Sequence, residues 1–164
     1  MSAERWTVAD IPSQEGRIAV ITGASSGLGL ETARALAAKG AHVVAASRNA
    51  VRGRAARDQI VSGLPAASVE VAELDLASVE SVRRFAAGYI GGHDRLDLLI
   101  NNAGVMAIPR TETADGFEMQ FGTNHLGHFA LTGLLYERLV ATEDSRVVTV
   151  SSTAHARGKM GSMT

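Results

Sequence analysis

The chain has 164 residues, 46% of them hydrophobic and 20% charged, with a formal net charge of -1. That length suits one domain with a real core, and so even a charge balance offers no electrostatic footprint for nucleic acid. With 0 cysteines, disulfides, thiol catalysis and cysteine-ligated metal sites are excluded.

Residues 1–15 read as an irregular arm, with Trp6 a candidate anchor to the body. Glu4, Arg5, Asp10, Glu15 and Arg17 interrupt every apolar run there, so no secretory leader is expected. No stretch reaches the ~20 apolar residues of a membrane helix, and a cytoplasmic protein without membrane contact is the expectation. A strand–turn–helix pattern then repeats. Residues 17–22 (RIAVIT) form a short apolar run, the mark of a strand buried on both faces. Residues 27–39 read as an Ala- and Leu-rich helix that Gly40 ends. A strand over 42–47 and a helix over 50–62 follow, the helix stopped by Gly63 and Pro65. A strand over 68–74, a helix over 78–89 capped by Ser78, and a strand over 96–101 come next. One long helix over 115–141 and a strand over 146–151 complete the series.

Strands alternating with helices imply parallel βαβ units with right-handed crossovers. The expected fold is a single α/β domain over residues 1–164, a doubly wound, Rossmann-type parallel sheet with helices on both faces. Ligands are expected at the carboxyl ends of its strands.

Gly23, Gly27 and Gly29 fall between the first strand and its helix, within Thr22-Gly-Ala-Ser25-Ser26-Gly-Leu28-Gly. A pyrophosphate can approach such a turn closely, and the helix N-terminus beyond it offers N–H groups and a positive dipole end. The first two glycines are separated by three residues, not one. With Leu74-Asp75-Leu76 after the third strand, Asn101-Asn102-Ala103-Gly104 after the fourth, Asn124 inside the long helix and Ser151-Ser152 after Val150, the sequence resembles the short-chain dehydrogenase/reductase family from about residue 16 to residue 152. The phrases Asn124-His125-Leu126-Gly127-His128-Phe129 and Ser151-Ser152-Thr153-Ala154-His155 are most similar to its retinol-dehydrogenase-like branch.

The resemblance implies an oxidoreductase that interconverts an alcohol and a carbonyl. It implies cofactor contacts from Gly23, Ser25, Ser26, Gly27, Leu28 and Gly29, from Asp75 and Leu76 around the adenine, and from Asn102, Ala103 and Gly104. It also implies that Asn101 and Asn102 tie strand ends together. By the same resemblance Asn124 would support a water-mediated proton relay, and Ser152 would be the catalytic serine. Asparagine suits a helix poorly, and Gly122 and Gly127 flank it, so a local irregularity is expected in the long helix. A small-molecule substrate and a homo-oligomer for the full-length protein are the expected partners.

An NAD site places a carboxylate about 20 residues past the glycines. Ser47 and Arg48 stand there, and an arginine grips a 2′-phosphate where a carboxylate repels it. NADP(H) is therefore the expected cofactor, with NAD(H) second. Arg52, Arg54 and Arg57 read as solvated charges.

The family's proton donor is a tyrosine with a lysine four residues later. Neither Tyr89 nor Tyr136 precedes a lysine at that spacing. The pair would fall on a helix after the fifth strand, so the sequence reads as the front part of a longer protein, inactive by itself. A dinucleotide-binding module without catalysis is the alternative. His125 and His128 stand three apart, a spacing metals use, but no third ligand is near in sequence and no metal is expected. Met106 and Ile108 are candidates for an apolar substrate wall or for packing under the loop.

Overall fold

The computed structural model describes residues 6–153. Five strands form one parallel sheet: β1 (Ile18–Thr22), β2 (His42–Ser47), β3 (Ser68–Glu73), β4 (Leu98–Asn101) and β5 (Arg146–Thr149). Their spatial order is β3-β2-β1-β4-β5. The order reverses around β1, which pairs with β2 on one side and β4 on the other. That reversal opens a crevice at the carboxyl ends, where doubly wound folds bind ligands.

Two apolar layers cover the sheet. Helices α1 (Gly27–Ala38) and α2 (Ala50–Gly63) pack Ala33, Leu36 and Ile60 onto Ala19, Ile21, Val43 and Ile100. On the other face α3 (Val79–Gly92) and the later helices pack Val82, Phe85, Leu131 and Leu135 onto Val20, Val44 and Leu99. Alternate residues of β1 thus point to opposite cores, which is why its run is apolar without interruption. Ser78 caps α3 as expected, its Oγ accepting the Ser81 N–H at 3.2 Å. Among the described residues no helix is long and apolar enough to cross a membrane.

Three expectations need correction. Trp6 does not anchor the arm: it is 68% exposed. The arm holds through a short 3-10 turn (Val8–Asp10), with Lys39 Nζ donating to the Ala9 carbonyl at 2.8 Å. The strand expected from residue 96 begins at Leu98, although the Asp97 backbone already bonds both neighbours, its N–H donating to the Ile18 carbonyl at 3.0 Å and its carbonyl accepting the Arg146 N–H at 2.8 Å; the Asp97 carboxylate also binds the neighbouring strand. It accepts the Ile18 N–H at 2.9 Å and two hydrogen bonds from Arg95, at 2.9 and 2.7 Å. Burial pushes this carboxyl up, but the Arg95 and Ile18 hydrogen bonds and the Arg17 and Arg95 charges outweigh it, so its pKa lies below the ordinary value.

The long helix over 115–141 is not one helix. Residue 116 is a glycine at φ 80°, and helix begins only where the Glu118 carboxylate accepts the Gln120 and Phe121 N–H groups at 3.0 and 2.8 Å. A single turn, α4 (Met119–Phe121), leads into a π-helical turn (Gly122–Leu126) and then α5 (Gly127–Leu134). The path breaks again at Leu135 (φ -95°, ψ 1°) before α6 (Tyr136–Ala141). The expected irregularity around Asn124 is this π turn, a feature common at functional sites. Leu131, Leu135 and Leu139 of this region are buried, whereas Phe121, Phe129, Tyr136 and Val140 are exposed.

Candidate dinucleotide-binding site

A cleft of about 320 Å³ lies over the β1–β4 crevice. Its floor comes from Gly23, Ser25 and Ser26 after β1, from Arg48 after β2, and from Asp75 and Leu76 after β3. Asn102, Ala103 and Gly104 after β4 form the opposite wall. Nine expected cofactor residues, scattered over 82 positions of sequence, are thus neighbours here.

Gly27, Leu28 and Gly29 do not line this cleft; they are the first turn of α1. Gly27 has φ +55° with open space on its Cβ side, so backbone conformation sets the residue. Gly29 is set by approach: a Cβ there would lie 2.5 Å from Asn102 Nδ2 and 2.5 Å from the Gly23 carbonyl oxygen. Ser26 is the N-cap, yet its side chain takes none of the helix N–H groups. They remain directed at an incoming anion. The cradle therefore fits a pyrophosphate.

Asp75 serves two parts of the structure. Its Oδ1 accepts the Ala77 N–H at 3.0 Å, shaping the turn into α3, and the residue also lines the cleft. Ser47 is buried, its hydroxyl donating to the Asn49 carbonyl at 3.1 Å. Arg48 is joined at the cleft by Arg52, four residues later on the first turn of α2. Sequence reasoning placed Arg52 among solvated charges. The signal it passed over was Asn49, whose Oδ1 accepts the Arg52 N–H at 2.9 Å and so starts the helix there.

The end of β1 carries a hydrogen-bond hub that sequence reasoning missed. Thr22 is fully buried, and its Oγ1 accepts the N–H groups of Asn102 and Ala103, both at 2.9 Å. With both lone pairs taken, its hydrogen has two acceptors within reach: His128 Nε2 at 2.8 Å and the Ile100 carbonyl at 3.4 Å. The shorter contact wins, which makes Nε2 an acceptor and puts the ring proton on Nδ1. Nδ1–H then donates to the Asn124 carbonyl at 2.9 Å. Burial lowers the His128 pKa, against the opposing Asn124 hydrogen bond, so the ring is neutral at pH 7.

Asn124 continues the chain. Its Oδ1 accepts the Val105 N–H and its Nδ2 donates to the Val105 carbonyl, each at 2.8 Å. The side chain imitates a strand edge and holds the loop after Gly104. On the same wall Asn102 Nδ2 donates to the Thr22 carbonyl at 2.8 Å, and Asn101 Nδ2 donates to Thr132 Oγ1 at 3.1 Å. Asn102 thus ties the end of β4 to the end of β1, whereas Asn101 ties it mainly to α5 and, at 3.4 Å, to Thr149 at the end of β5. Met106 is 78% exposed beyond this loop.

His125 and His128 diverge. His125 is exposed and stacks on Phe121 at 5.2 Å, while His128 faces the core, so they share no ligand. The Tyr89 hydroxyl donates to the Arg95 carbonyl at 2.7 Å, and burial drives its pKa far above the ordinary phenol value. It cannot serve as an acid at the cleft. Ser152 is exposed, three residues past the end of β5, on the carboxyl side of the sheet. His155, at the end of the phrase that carries the resemblance, lies outside the described residues.

A five-stranded parallel sheet whose glycine turn and helix N-terminus open on a cleft at the strand-order reversal defines an α/β fold of the dinucleotide-binding type. Comparison with known proteins narrows this. Residues 17–163 match the short chain dehydrogenase family, and the chain belongs to it. It is retinol-dehydrogenase-like: it is 50% identical to retinol dehydrogenase 12 of Homo sapiens over 145 residues, 88% of this chain and 46% of that one. It is 47% identical to Homo sapiens retinol dehydrogenase 13 over 143 residues, 87% of this chain and 43% of that one. The chain therefore spans less than half the length of these relatives. The crystal structure of an uncharacterised Mycobacterium paratuberculosis protein superposes with a TM-score of 0.79 at 55% identity, covering 92% of this chain and 51% of that one. A metagenomic short-chain oxidoreductase in complex with NADP superposes with a TM-score of 0.75 at 30% identity, covering 85% and 64% of the two chains.

Proposed function

We propose that the chain is the cofactor-binding portion of an NADP(H)-dependent oxidoreductase that interconverts an alcohol and a carbonyl. One observation carries the cofactor choice: Arg48 and Arg52 both line the cleft at the end of β2, where an NAD site would place a carboxylate. The buried Ser47 that ends β2 is neutral, so the strand end itself carries no carboxylate against a 2′-phosphate. The relative solved with NADP supports the same reading.

The nicotinamide supplies the hydride when the cofactor is bound. This chain's residues bind and orient. The α1 N-terminus and Ser25–Ser26 hold the pyrophosphate, and Asp75 and Leu76 border the adenine. Asn102 and Ala103, pinned to Thr22, and Gly104 beside them would form the wall against which the cofactor lies. Ser152 hydrogen-bonds the substrate oxygen. Asn124 is a positioning residue that acts through the loop it holds and through its place beside the proton relay. The sequence contains no Tyr-x-x-x-Lys, and Tyr89 is committed elsewhere. The 164-residue chain by itself accordingly is expected to bind dinucleotide with little turnover.

The test is direct binding of NADPH and NADH to the chain and to Arg48→Ala and Arg52→Ala variants. A hydrogen bond to a charged group contributes about 1.5–3 kcal/mol when shielded, and exposure reduces this to about 1 kcal/mol. Each substitution should weaken NADPH about 5-fold and leave NADH unchanged. Equal affinities of the parent chain for both dinucleotides would overturn the cofactor assignment. A second reading is a dinucleotide-binding module without catalysis. Reading the coding sequence past Thr164 separates the two: an in-frame helix with that pair supports the oxidoreductase, a stop codon the module.

A further inference from the structure

At the amino edge of the sheet, away from the cleft, two imidazoles face one carboxylate oxygen. His42 Nε2 lies 3.5 Å from Glu70 Oε2, and His93 Nε2 lies 3.3 Å from the same atom. Each of the three residues offers one ligand atom, all within 4.8 Å of one another. From this geometry we infer a binding site for a zinc-class divalent cation, with His42, Glu70 and His93 as ligands and water completing the coordination.

The first argument is electronic. His93 Nδ1 lies 3.2 Å from the Tyr89 carbonyl, which can only accept, so Nδ1 carries the ring proton. In the neutral ring Nε2 is then a lone pair aimed at an anionic oxygen. Two acceptors at that separation repel unless a cation lies between them. His42 Nδ1 is likewise bound, to Ser68 Oγ at 2.7 Å, so both rings are oriented from behind, as metal-ligating imidazoles are.

The second argument is length. A proton shared by imidazolium and carboxylate draws them to about 2.7–2.9 Å. Two ligands ~2.0–2.1 Å from a tetrahedral zinc stand about 3.3–3.4 Å apart. At the right angles of an octahedral magnesium with bonds of ~2.1 Å they stand about 3.0 Å apart. The two histidine–carboxylate separations of 3.3 and 3.5 Å match the tetrahedral edge, and the two Nε2 atoms, within 4.8 Å of one another, would close on a bound ion. Two imidazoles with one carboxylate also suit zinc chemistry better than magnesium or calcium.

The third argument is placement. His42 opens β2, Glu70 lies on β3 two residues past Ser68, the register partner of His42, and His93 is the C-cap of α3. The His93 ring is fixed by stacking on Tyr89 at 4.4 Å. Side-chain exposures of 32% for His42 and 14% for His93, against 46% for Glu70, describe a site open on one side. A bound ion would clamp the amino ends of two strands to the end of a helix.

The test is calorimetric titration of the tag-free, chelator-stripped 164-residue chain with Zn²⁺, and with Co²⁺ read by visible absorption. One equivalent should bind with tetrahedral Co²⁺ spectra, and zinc at 100-fold above Kd should raise Tm by ~5–10 °C. His42→Gln and Glu70→Gln should each weaken binding at least about 10-fold, and His42→Gln/His93→Gln should abolish it. His125→Gln should change nothing. Circular dichroism and the metal-free Tm identify any variant that fails to fold, and Glu70→Gln, at a half-exposed position, is the variant least exposed to that failure. No saturable binding by the parent chain, or undiminished binding by a folded Glu70→Gln variant, would overturn the site.

Discussion

Replacing Thr22 by valine isolates the hub at the end of β1. Valine keeps the β-branched shape and the strand preference, so the change removes one hydroxyl and little else. Three groups lose their partner: the Asn102 and Ala103 N–H groups and His128 Nε2. A buried polar group left alone costs about 1–3 kcal/mol. The two amides are only partly buried, and water recovers some of that, so about 1 kcal/mol each is reasonable. His128 Nε2 has no such recourse, and its share is about 1–2 kcal/mol. The total is about 3 kcal/mol, lowered slightly by the apolar methyl gained. For a chain of this size that corresponds to a fall in Tm of roughly 6–12 °C. Urea unfolding measures it directly, with an unchanged m-value showing that neither end state has been altered. Cofactor affinity should fall as well, since the Asn102–Gly104 wall hangs on these bonds. A loss under about 1 kcal/mol at constant m would refute the assignment of three dependents to one hydroxyl.

Gly29→Ala should abolish dinucleotide binding and cost about 1–3 kcal/mol in urea unfolding, because its methyl would meet Asn102 Nδ2 and the Gly23 carbonyl. Asp97→Ala should lower stability by about 1–2 kcal/mol at pH 7, mostly through the orphaned Ile18 N–H, since Arg95 is 49% exposed and its share is screened. His128 gives a pH signature. Its folded pKa is depressed, so the unfolded chain binds the extra proton and stability falls as pH drops below about 6.5. His128→Gln should flatten that slope in urea midpoints between pH 7.5 and pH 5.5, and an identical slope would remove His128 from the account.

The parallel core was legible in the sequence because β1 and β2 are buried on both faces and read as unbroken apolar runs. The helix over 115–141 was not, because hydrophobic periodicity cannot register a π turn. What did register was the unsuitability of Gly122, Asn124 and Gly127 for helix. Structure adds a reason for one of them: a Cβ on Gly127 would strike the Leu76 carbonyl. The cleft was legible wherever backbone needs dictated residue type, as at Gly29. Arg52 was not, since an arginine beside the cofactor and one in solvent look alike in sequence. His128 and the His42–Glu70–His93 group depend on partners brought together by parallel register and helix packing, and no local spacing encodes that.

The position of β1 in the middle of the sheet also sets an order of assembly during synthesis. Residues 17–92 contain everything needed for β3-β2-β1 and for α1 to α3. Those elements have mostly near-neighbour connections, whose closure costs little entropy. At that stage Thr22 has lost none of its bonds; it has yet to receive them, for its amide partners lie 80 and 81 residues onward and His128 lies 106. A nascent chain thus holds the phosphate turn and both arginines before the opposite wall exists. The strand that starts the domain thus waits 106 residues for its polar end to be closed, and the cleft gains its second side only when Asn124 and His128 have left the ribosome.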